Sequence, residues 1–138
     1  RIHRTRLQLW LWGIMGHPGP PKGVEWSVRL GGTVQTTPAA NEEYIYVSTR
    51  DGRLIAVDRL TGKRLWTYDT EADNLSTPTI VENIVLVGDR NGVLHALDTD
   101  NGEEQWSLQI AQGPISTPVL AGGTLYLASD DGTLYAVE

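Results

Sequence analysis

The sequence of 138 residues contains no cysteine, which excludes disulfide bonds, thiolate nucleophiles and cysteine-ligated metals throughout the chain. No apolar run approaches the roughly 20 residues that a membrane-spanning helix requires. Basic residues are scarce beyond the first half, and Arg90 is the only one from Asp69 onward. Because binding to nucleic acid requires clustered lysine and arginine, this acidic region, in a chain of net charge -6, argues against a nucleic-acid partner.

Residues 1–22 differ from the rest of the chain. Basic residues at positions 1, 4 and 6 precede an apolar stretch at 7–15, which is the order of a signal peptide. Gln8 interrupts that stretch and no small-residue cleavage site follows, so an upstream remnant, a mistranslated start and a short amphipathic lead are alternatives. Residues 17–23 are rich in proline and glycine and predict a stiff, non-helical linker.

A period of forty residues runs through the remainder of the chain. The recurring residues are Trp26, Trp66 and Trp106; Pro38, Pro78 and Pro118; Gly52, Gly92 and Gly132; Leu54, Leu94 and Leu134; and Ala56, Ala96 and Ala136. A fixed period in this range indicates a propeller, a solenoid or an array, because one unit cannot bury its own apolar faces.

Each unit divides into short extended segments, which in the second unit lie at 76–81, 84–88, 93–98 and 104–110. The turn glycines Gly52, Gly92 and Gly132 follow Asp or Asn, a pair that supplies the positive φ of tight hairpins. Helix signals are missing, so the chain is predicted to be all-β.

Several of these segments, such as residues 84–87 and 125–128, are apolar at every position. A sheet with one solvent face would alternate apolar and polar residues, so these sheets must be covered on both faces. Radial stacking of four-stranded sheets does this, whereas solenoid repeats carry fewer strands. We therefore predict a β-propeller of about three four-stranded antiparallel blades, near residues 33–70, 75–110 and 115–138.

Residues 56–66 read Ala-Val-Asp-Arg-Leu-Thr-Gly-Lys-Arg-Leu-Trp, which resembles the tryptophan-docking motif of the PQQ-like (pyrroloquinoline quinone) repeat family, Ala-x-Asp-x-x-Thr-Gly-Lys-x-x-Trp. The matching residues are Ala56, Asp58, Thr61, Gly62, Lys63 and Trp66, then Ala96, Asp98, Gly102 and Trp106, with Trp26 ending an earlier copy and Ala136 beginning a later one. The resemblance covers residues 23–138.

The resemblance implies that each motif tryptophan docks on the motif of the next blade, which is a structural role. Asp58 and Asp98 precede turns, where a carboxylate can accept backbone N–H bonds. Residues 24–30 are predicted as a further strand, making twelve strands in all. Since closed propellers have about four to eight blades, either the chain is a piece of a longer propeller or several copies assemble, with strand 24–30 completing the last blade of a partner chain.

Other candidate sites have simpler interpretations. Residues 98–104 resemble half of a calcium loop but are predicted to be a solvated turn. His95 is predicted to be a packed side chain with no carboxylate in its register. Ser76-Thr77-Pro78 opens an inner strand. In the quinone-dependent alcohol dehydrogenases of the family, a vicinal cysteine pair and a calcium or lanthanide ion accompany the quinone, and this chain lacks the cysteine pair.

The predicted function is therefore a non-enzymatic scaffold for protein–protein interaction, similar to the propeller lipoprotein of outer-membrane assembly, in the periplasm, at the cell surface or secreted. Its expected partners are a protein or peptide, or further blades, with self-association through exposed blade edges. No catalytic, cofactor-binding or metal residue is predicted. The alternatives are a fragment of a quinoprotein dehydrogenase, with PQQ and calcium as cofactors, and the sensor propeller of a bacterial kinase.

Overall fold

The computed structural model describes residues 23–34, 36–73 and 75–138, so the expectations for residues 1–22 fall outside the described residues. The described chain forms eleven strands and three antiparallel sheets. The strands are β1 (Ala39–Ala40), β2 (Tyr44–Ser48), β3 (Arg53–Asp58), β4 (Arg64–Asp69), β5 (Thr79–Val81), β6 (Ile84–Gly88), β7 (Val93–Asp98), β8 (Glu104–Gln109), β9 (Val119–Ala121), β10 (Thr124–Ala128) and β11 (Leu134–Val137). The predicted all-β class is confirmed.

Each sheet is a meander in chain order: β1 to β4, β5 to β8 and β9 to β11. We call them the first, second and third blades. The first strand of each blade is short, two residues in β1 and three in β5 and β9. A proline directly precedes this strand in each blade, as Pro78 does before β5, and proline cannot donate a backbone hydrogen bond to a sheet ladder. The predicted strand at 76–81 therefore begins only at Thr79.

The first two blades share one register. Ala56 lies opposite Trp66 and Ala96 lies opposite Trp106, and in both blades the pairing shifts directly after the alanine. The forty-residue period of the sequence is thus a period of the hydrogen-bond pattern as well.

Two apolar cores lie between consecutive blades. The residues between the first and second blades include Tyr46, Leu54 and Ala56 facing Leu75, Val85, Val87 and Leu97. Those between the second and third include Leu86, Leu94 and Ala96 facing Ala111, Ile115 and Leu127. The second blade is therefore covered on both faces, which is why its middle strands β6 and β7 are mostly apolar and buried.

The predicted strand at residues 24–30 is wrong, because this segment belongs to none of the strands of the described chain. Arginine side chains of the first blade hold its end instead. Arg64 Nη2 donates to the carbonyl of Arg29 at 2.7 Å, and Arg53 Nη2 donates to that of Gly31 at 3.0 Å. In the described chain the backbone of this segment pairs with no strand. The described residues include no helix that could cross a membrane.

Candidate functional site

The joint between the first and second blades is built around Trp66. Its ring lies over Gly102, in the turn between β7 and β8, so closely that a Cβ on Gly102 would stand 2.5 Å from ring atoms Cδ2 and Cε3. Nε1 of Trp66 donates to the carbonyl oxygen of Thr99 at 3.0 Å. Tyr46 Oη donates to the same oxygen at 3.1 Å, and its ring centroid is 5.8 Å from that of Trp66. The joint buries aromatic surface while satisfying both polar groups.

Trp26 occupies the corresponding place on the first blade. A Cβ on Gly62 would stand 2.5 Å from its Cε3. The indole Nε1 of Trp26, however, is buried and has no hydrogen-bond acceptor in the described chain. A buried donor without a partner costs roughly 1–3 kcal/mol, and Trp26 lacks in the described chain the bond that Thr99 provides to Trp66.

Trp106 is the exception among the three motif tryptophans, with 40% of its surface exposed. None of the described glycines of the third blade lies under its ring, because the Cβ positions of Gly122, Gly123 and Gly132 have no atom within 4 Å. Ala136, the first residue of the third motif, is exposed as well.

The polar residues of the motif build the turn that carries the glycine. Asp58 Oδ1 accepts the N–H groups of Leu60 and Thr61, both at 2.9 Å, and these bonds, that of Thr61 foremost, hold the pKa of Asp58 below its usual value. The Thr61 hydroxyl accepts the N–H of Lys63 at 3.2 Å. The side chains of Asp58 and Thr61 are thus engaged in local hydrogen bonds.

The second turn has the same construction with different residues. Asp98 Oδ1 accepts the N–H groups of Asp100 at 2.8 Å and Asn101 at 3.3 Å. Asn101 Oδ1 accepts the N–H of Glu103 at 2.9 Å, as Thr61 does for Lys63. Residues 98–104 therefore form a hydrogen-bonded turn. In the described ranges no group of three His, Cys, Asp or Glu residues is placed to hold a metal ion.

Gly52 and Gly92 lie where the linker to the next blade crosses a hairpin turn. Their φ angles are +97° and +82°, and an added Cβ would overlap the carbonyl of Ala72 at the first and of Ala111 at the second. Gly132 has a φ of +91° but open space around it. The positive φ and the close approach of a carbonyl therefore both require glycine at positions 52 and 92. At position 132 only the positive φ requires it.

His95 is packed as predicted, at 6% exposure. Its register partners are Val87 and Ser107, so no carboxylate shares its register, but two carboxylates from outside that register reach its ring. Its Nε2 is 2.7 Å from Asp89 Oδ2, and its Nδ1 is 3.4 Å from Glu104 Oε1. Tyr68 of the first blade donates to Glu104 Oε1 at 2.7 Å. Burial and this bond raise the pKa of Tyr68 to about 12, and the same bond lowers that of Glu104. The signal in the sequence was the combination of Asp89 and Glu104, six and nine residues from His95.

The third blade has an apolar face that no described residue covers. Leu134 is 72% exposed, whereas the equivalent Leu54 and Leu94 are fully buried. Tyr126 and Val119 lie on the same face of the sheet, since Leu127, the alternate residue, faces the second blade. Strand β11 pairs only with β10 in the described chain, so its other edge is unpaired.

The chain matches the family model described as outer membrane protein assembly factor BamB, over residues 20–117 and again over 76–138. It is 40% identical over 53 residues to the quinohemoprotein alcohol dehydrogenase of Comamonas testosteroni, covering 37% of this chain and 8% of that protein. It is 38% identical over 53 residues to BamB of Shewanella oneidensis, covering 38% of this chain and 13% of that protein.

Solved structures show the same architecture. BamB from Moraxella catarrhalis superposes with a TM-score of 0.73 at 28% identity, over 80% of this chain and 35% of that chain. The quinohemoprotein alcohol dehydrogenase of Comamonas testosteroni gives 0.64 at 25% identity, over 76% of this chain and 19% of that chain. The chain thus spans only a small part of the proteins that it matches. It belongs to the PQQ-like β-propeller family represented by BamB, and its three sheets are consecutive blades of a propeller that the described residues leave unclosed.

Proposed function

We propose that this chain is a non-enzymatic segment of a PQQ-like propeller that binds protein, and that its binding surface is the open face of the third blade. The observation that carries the proposal is the exposure of Leu134, 72% at a position that is fully buried in the other two blades. Exposed apolar surface of this kind, next to an unpaired strand edge, is typical of interaction sites.

The chemistry of this face indicates what kind of partner it can bind. Val119, Tyr126 and Leu134 supply aliphatic and aromatic surface, and the unpaired edge of β11 can accept an extended backbone segment. A further PQQ-like blade offers both an apolar face and a strand edge of this kind, and so does an extended peptide backed by an apolar surface. The partner is therefore a protein or peptide, from the same gene product or another.

Paired substitutions test the proposal, with light scattering during size-exclusion chromatography as the readout. The chain should associate in a concentration-dependent way through this face, and Leu134→Glu should reduce the association. Leu60→Glu is the control, because Leu60 is also exposed, at 55%, but lies in a turn away from the face. A chain that stays monomeric at high concentration and melts as a native protein contradicts the proposal.

The name of the BamB relatives supports a place in the cell envelope, so we propose a periplasmic or surface location for the full-length protein. Fractionation of cells that express the full gene, with detection by an antibody to residues 23–138, tests this location. Recovery in the cytoplasmic fraction alone contradicts it.

The 40% identity to the Comamonas dehydrogenase favours a second candidate, a fragment of a quinone-dependent dehydrogenase. The described residues do not fit its cofactor site, because no group of three His, Cys, Asp or Glu residues is placed to hold the metal and the chain has no cysteine pair. Incubation with PQQ and calcium should therefore produce no alcohol-dependent dye reduction. Reduction that requires both additions establishes the second candidate.

A further inference from the structure

Three segments of the chain share the residue pattern of a blade's fourth strand. In residues 26–28, 66–68 and 106–108, tryptophan is followed by serine or threonine and then by an aliphatic or aromatic residue. The second and third of these segments lie in β4 and β8, which pair with β3 and β7. The first therefore has the pattern of a fourth strand, although it belongs to none of the three blades.

The backbone of residues 24–30 is available for pairing. It pairs with no strand of the described chain, and the N–H groups of residues 26–30 donate to no acceptor among the described residues. Val24 and Val28 are 85% and 37% exposed. An exposed, unpaired segment with apolar side chains is suited to joining the edge of a sheet.

The third blade has the opposite deficit. It consists of β9, β10 and β11, and the outer edge of β11 pairs with no strand of the described chain. In the first and second blades, β4 and β8 occupy the equivalent edge. A fourth strand is thus the element that distinguishes the two complete sheets from the third.

Rows of side chains across each sheet define what fits on this edge. In the first blade, Ala56 lies between Tyr46 and Trp66, and the two rings meet over it with their centroids 5.8 Å apart. The third blade repeats the first two members of this row as Tyr126 and Ala136. No described residue stands in the third blade at the place that Trp66 takes in the first.

A second row gives the register. The cross-strand leucine pairs of the first two blades are Leu54 with Tyr68 and Leu94 with Leu108. The equivalent Leu134 is 72% exposed at the free edge. If Trp26 lies opposite Ala136, then Val28 falls opposite Leu134, because both strands of an antiparallel pair advance by two residues from one row to the next.

We propose that residues 24–30 of a second copy add to the edge of β11 and complete the third blade as its fourth strand. The added strand runs antiparallel to β11, with Trp26 opposite Ala136 and beside the ring of Tyr126. Val28 covers Leu134. This inference rests on the proposed function, because it names the partner of the same open face as a second copy of this chain.

Single cysteines test the register, because the chain has none of its own. A Val28→Cys chain mixed with a Leu134→Cys chain should form a mixed disulfide under mild oxidation, since opposite residues of antiparallel strands have Cβ atoms about 4.5–5.5 Å apart. Ser27→Cys is the matched control, because its side chain points to the other face of the added strand. Its mixed disulfide with Leu134→Cys should be about tenfold less abundant. Equal yields from the two mixtures overturn the proposal.

Proline substitutions test the backbone pairing without cysteine chemistry. Alternate N–H groups of a strand point to the same neighbour, so either Ser27→Pro or Val28→Pro removes a bond to β11. That variant should weaken the association by about tenfold or more in light scattering. Both variants should melt like the wild type at low protein concentration, because these N–H groups donate to no described acceptor.

The outcomes separate this inference from the proposed function. If Leu134→Glu reduces the association while both proline variants associate like the wild type, the open face binds a second copy through other contacts. The proposed function then stands and the strand addition is overturned. If the wild-type chain does not associate at any concentration, both are overturned.

Discussion

The indole nitrogen of Trp66 donates to the backbone carbonyl of Thr99, 33 residues later in the chain and in the next blade. The same ring covers Gly102, so one side chain supplies both the apolar contact and the directional bond of the joint. A tryptophan suits this position because its ring has a large apolar area and a single donor at its edge. The motif spacing places the ring, the glycine and the carbonyl together in consecutive blades.

Removal of Trp66 should strongly destabilise the chain. We expect Trp66→Ala to lower the free energy of unfolding by about 3–5 kcal/mol, because it leaves a cavity and removes the bond to Thr99. Trp106→Ala is the matched control, since no glycine of the described chain lies under the Trp106 ring and Trp106 is 40% exposed. Its cost should be about 1 kcal/mol or less. Urea denaturation measures both, and equal costs would show that Trp66 is not a docking residue.

Substitution of Gly102, the glycine under the Trp66 ring, should also destabilise the chain. Gly102→Ala places a Cβ against the ring of Trp66 at a φ of +76°. Gly132→Ala introduces the same kind of backbone strain, because the φ of Gly132 is +91°, but the added Cβ has open space around it. We expect Gly132→Ala to cost about 1–2 kcal/mol from the strain alone, and Gly102→Ala to cost about 1–3 kcal/mol more from overpacking. Thermal melts compare the two, and a similar cost at both positions contradicts the close contact.

The forty-residue period predicted the stacked blades, and the resemblance to the PQQ-like repeat implied that each motif tryptophan docks on the next blade. Tryptophan, glycine and aspartate each recur in one phase, and a repeated phase in a sheet fixes which residues share a face. The replacement of Thr61 by Asn101 did not obscure the turn, because both side chains can accept the same N–H bond.

Contacts outside the period could not be predicted in this way. The segment 24–30 has the composition of a strand, but a strand exists only where a second backbone lies beside it. The link from His95 to Tyr68 joins two blades through residues that occur once in the chain, so no repetition marks it. Which residues meet across a joint depends on the tertiary packing of the two blades, and the period of the sequence does not predict it.

The bond between Tyr68 and Glu104 should make the stability of the joint depend on pH in the acidic range. The bond from Tyr68 lowers the pKa of Glu104 in the folded state, so its stabilisation is present above the ordinary glutamate pKa of 4.5 and is lost as the pH falls through the lower folded value. Tyr68→Phe should therefore reduce stability at pH 7, and the gap from the wild type should shrink toward pH 3. Urea unfolding at the two pH values measures it.

Tyr44→Phe provides the control for this pair. Tyr44 also donates to a carboxylate of the next blade, Asp100 Oδ1 at 3.0 Å, but this bond is exposed to solvent. Because water screens exposed pairs, its removal should change stability less than removal of the Tyr68 hydroxyl. A larger loss from Tyr44→Phe would show that the bond of Tyr68 does not stabilise the joint.

The equivalent leucines of the second and third blades should respond differently to a charge. Leu94 is fully buried between blades and Leu134 is 72% exposed. Leu94→Glu should cost about 3 kcal/mol or more, because it buries an unpaired carboxylate, whereas Leu134→Glu should change the stability of the isolated chain by about 0.5 kcal/mol or less. Chemical denaturation at low protein concentration measures both. A large loss from Leu134→Glu would mean that this face is already covered.

A double-mutant cycle between Trp66 and Gly102 tests most directly whether tryptophan docking joins the blades. The four chains are the wild type, Trp66→Ala, Gly102→Ala and the double variant, compared by urea unfolding. If the ring lies on the glycine, deleting the ring removes the clash, so Gly102→Ala should cost about 1–3 kcal/mol less in the Trp66→Ala background than in the wild type. Additive costs, within about 0.5 kcal/mol, would show that the two residues do not touch and would contradict the account.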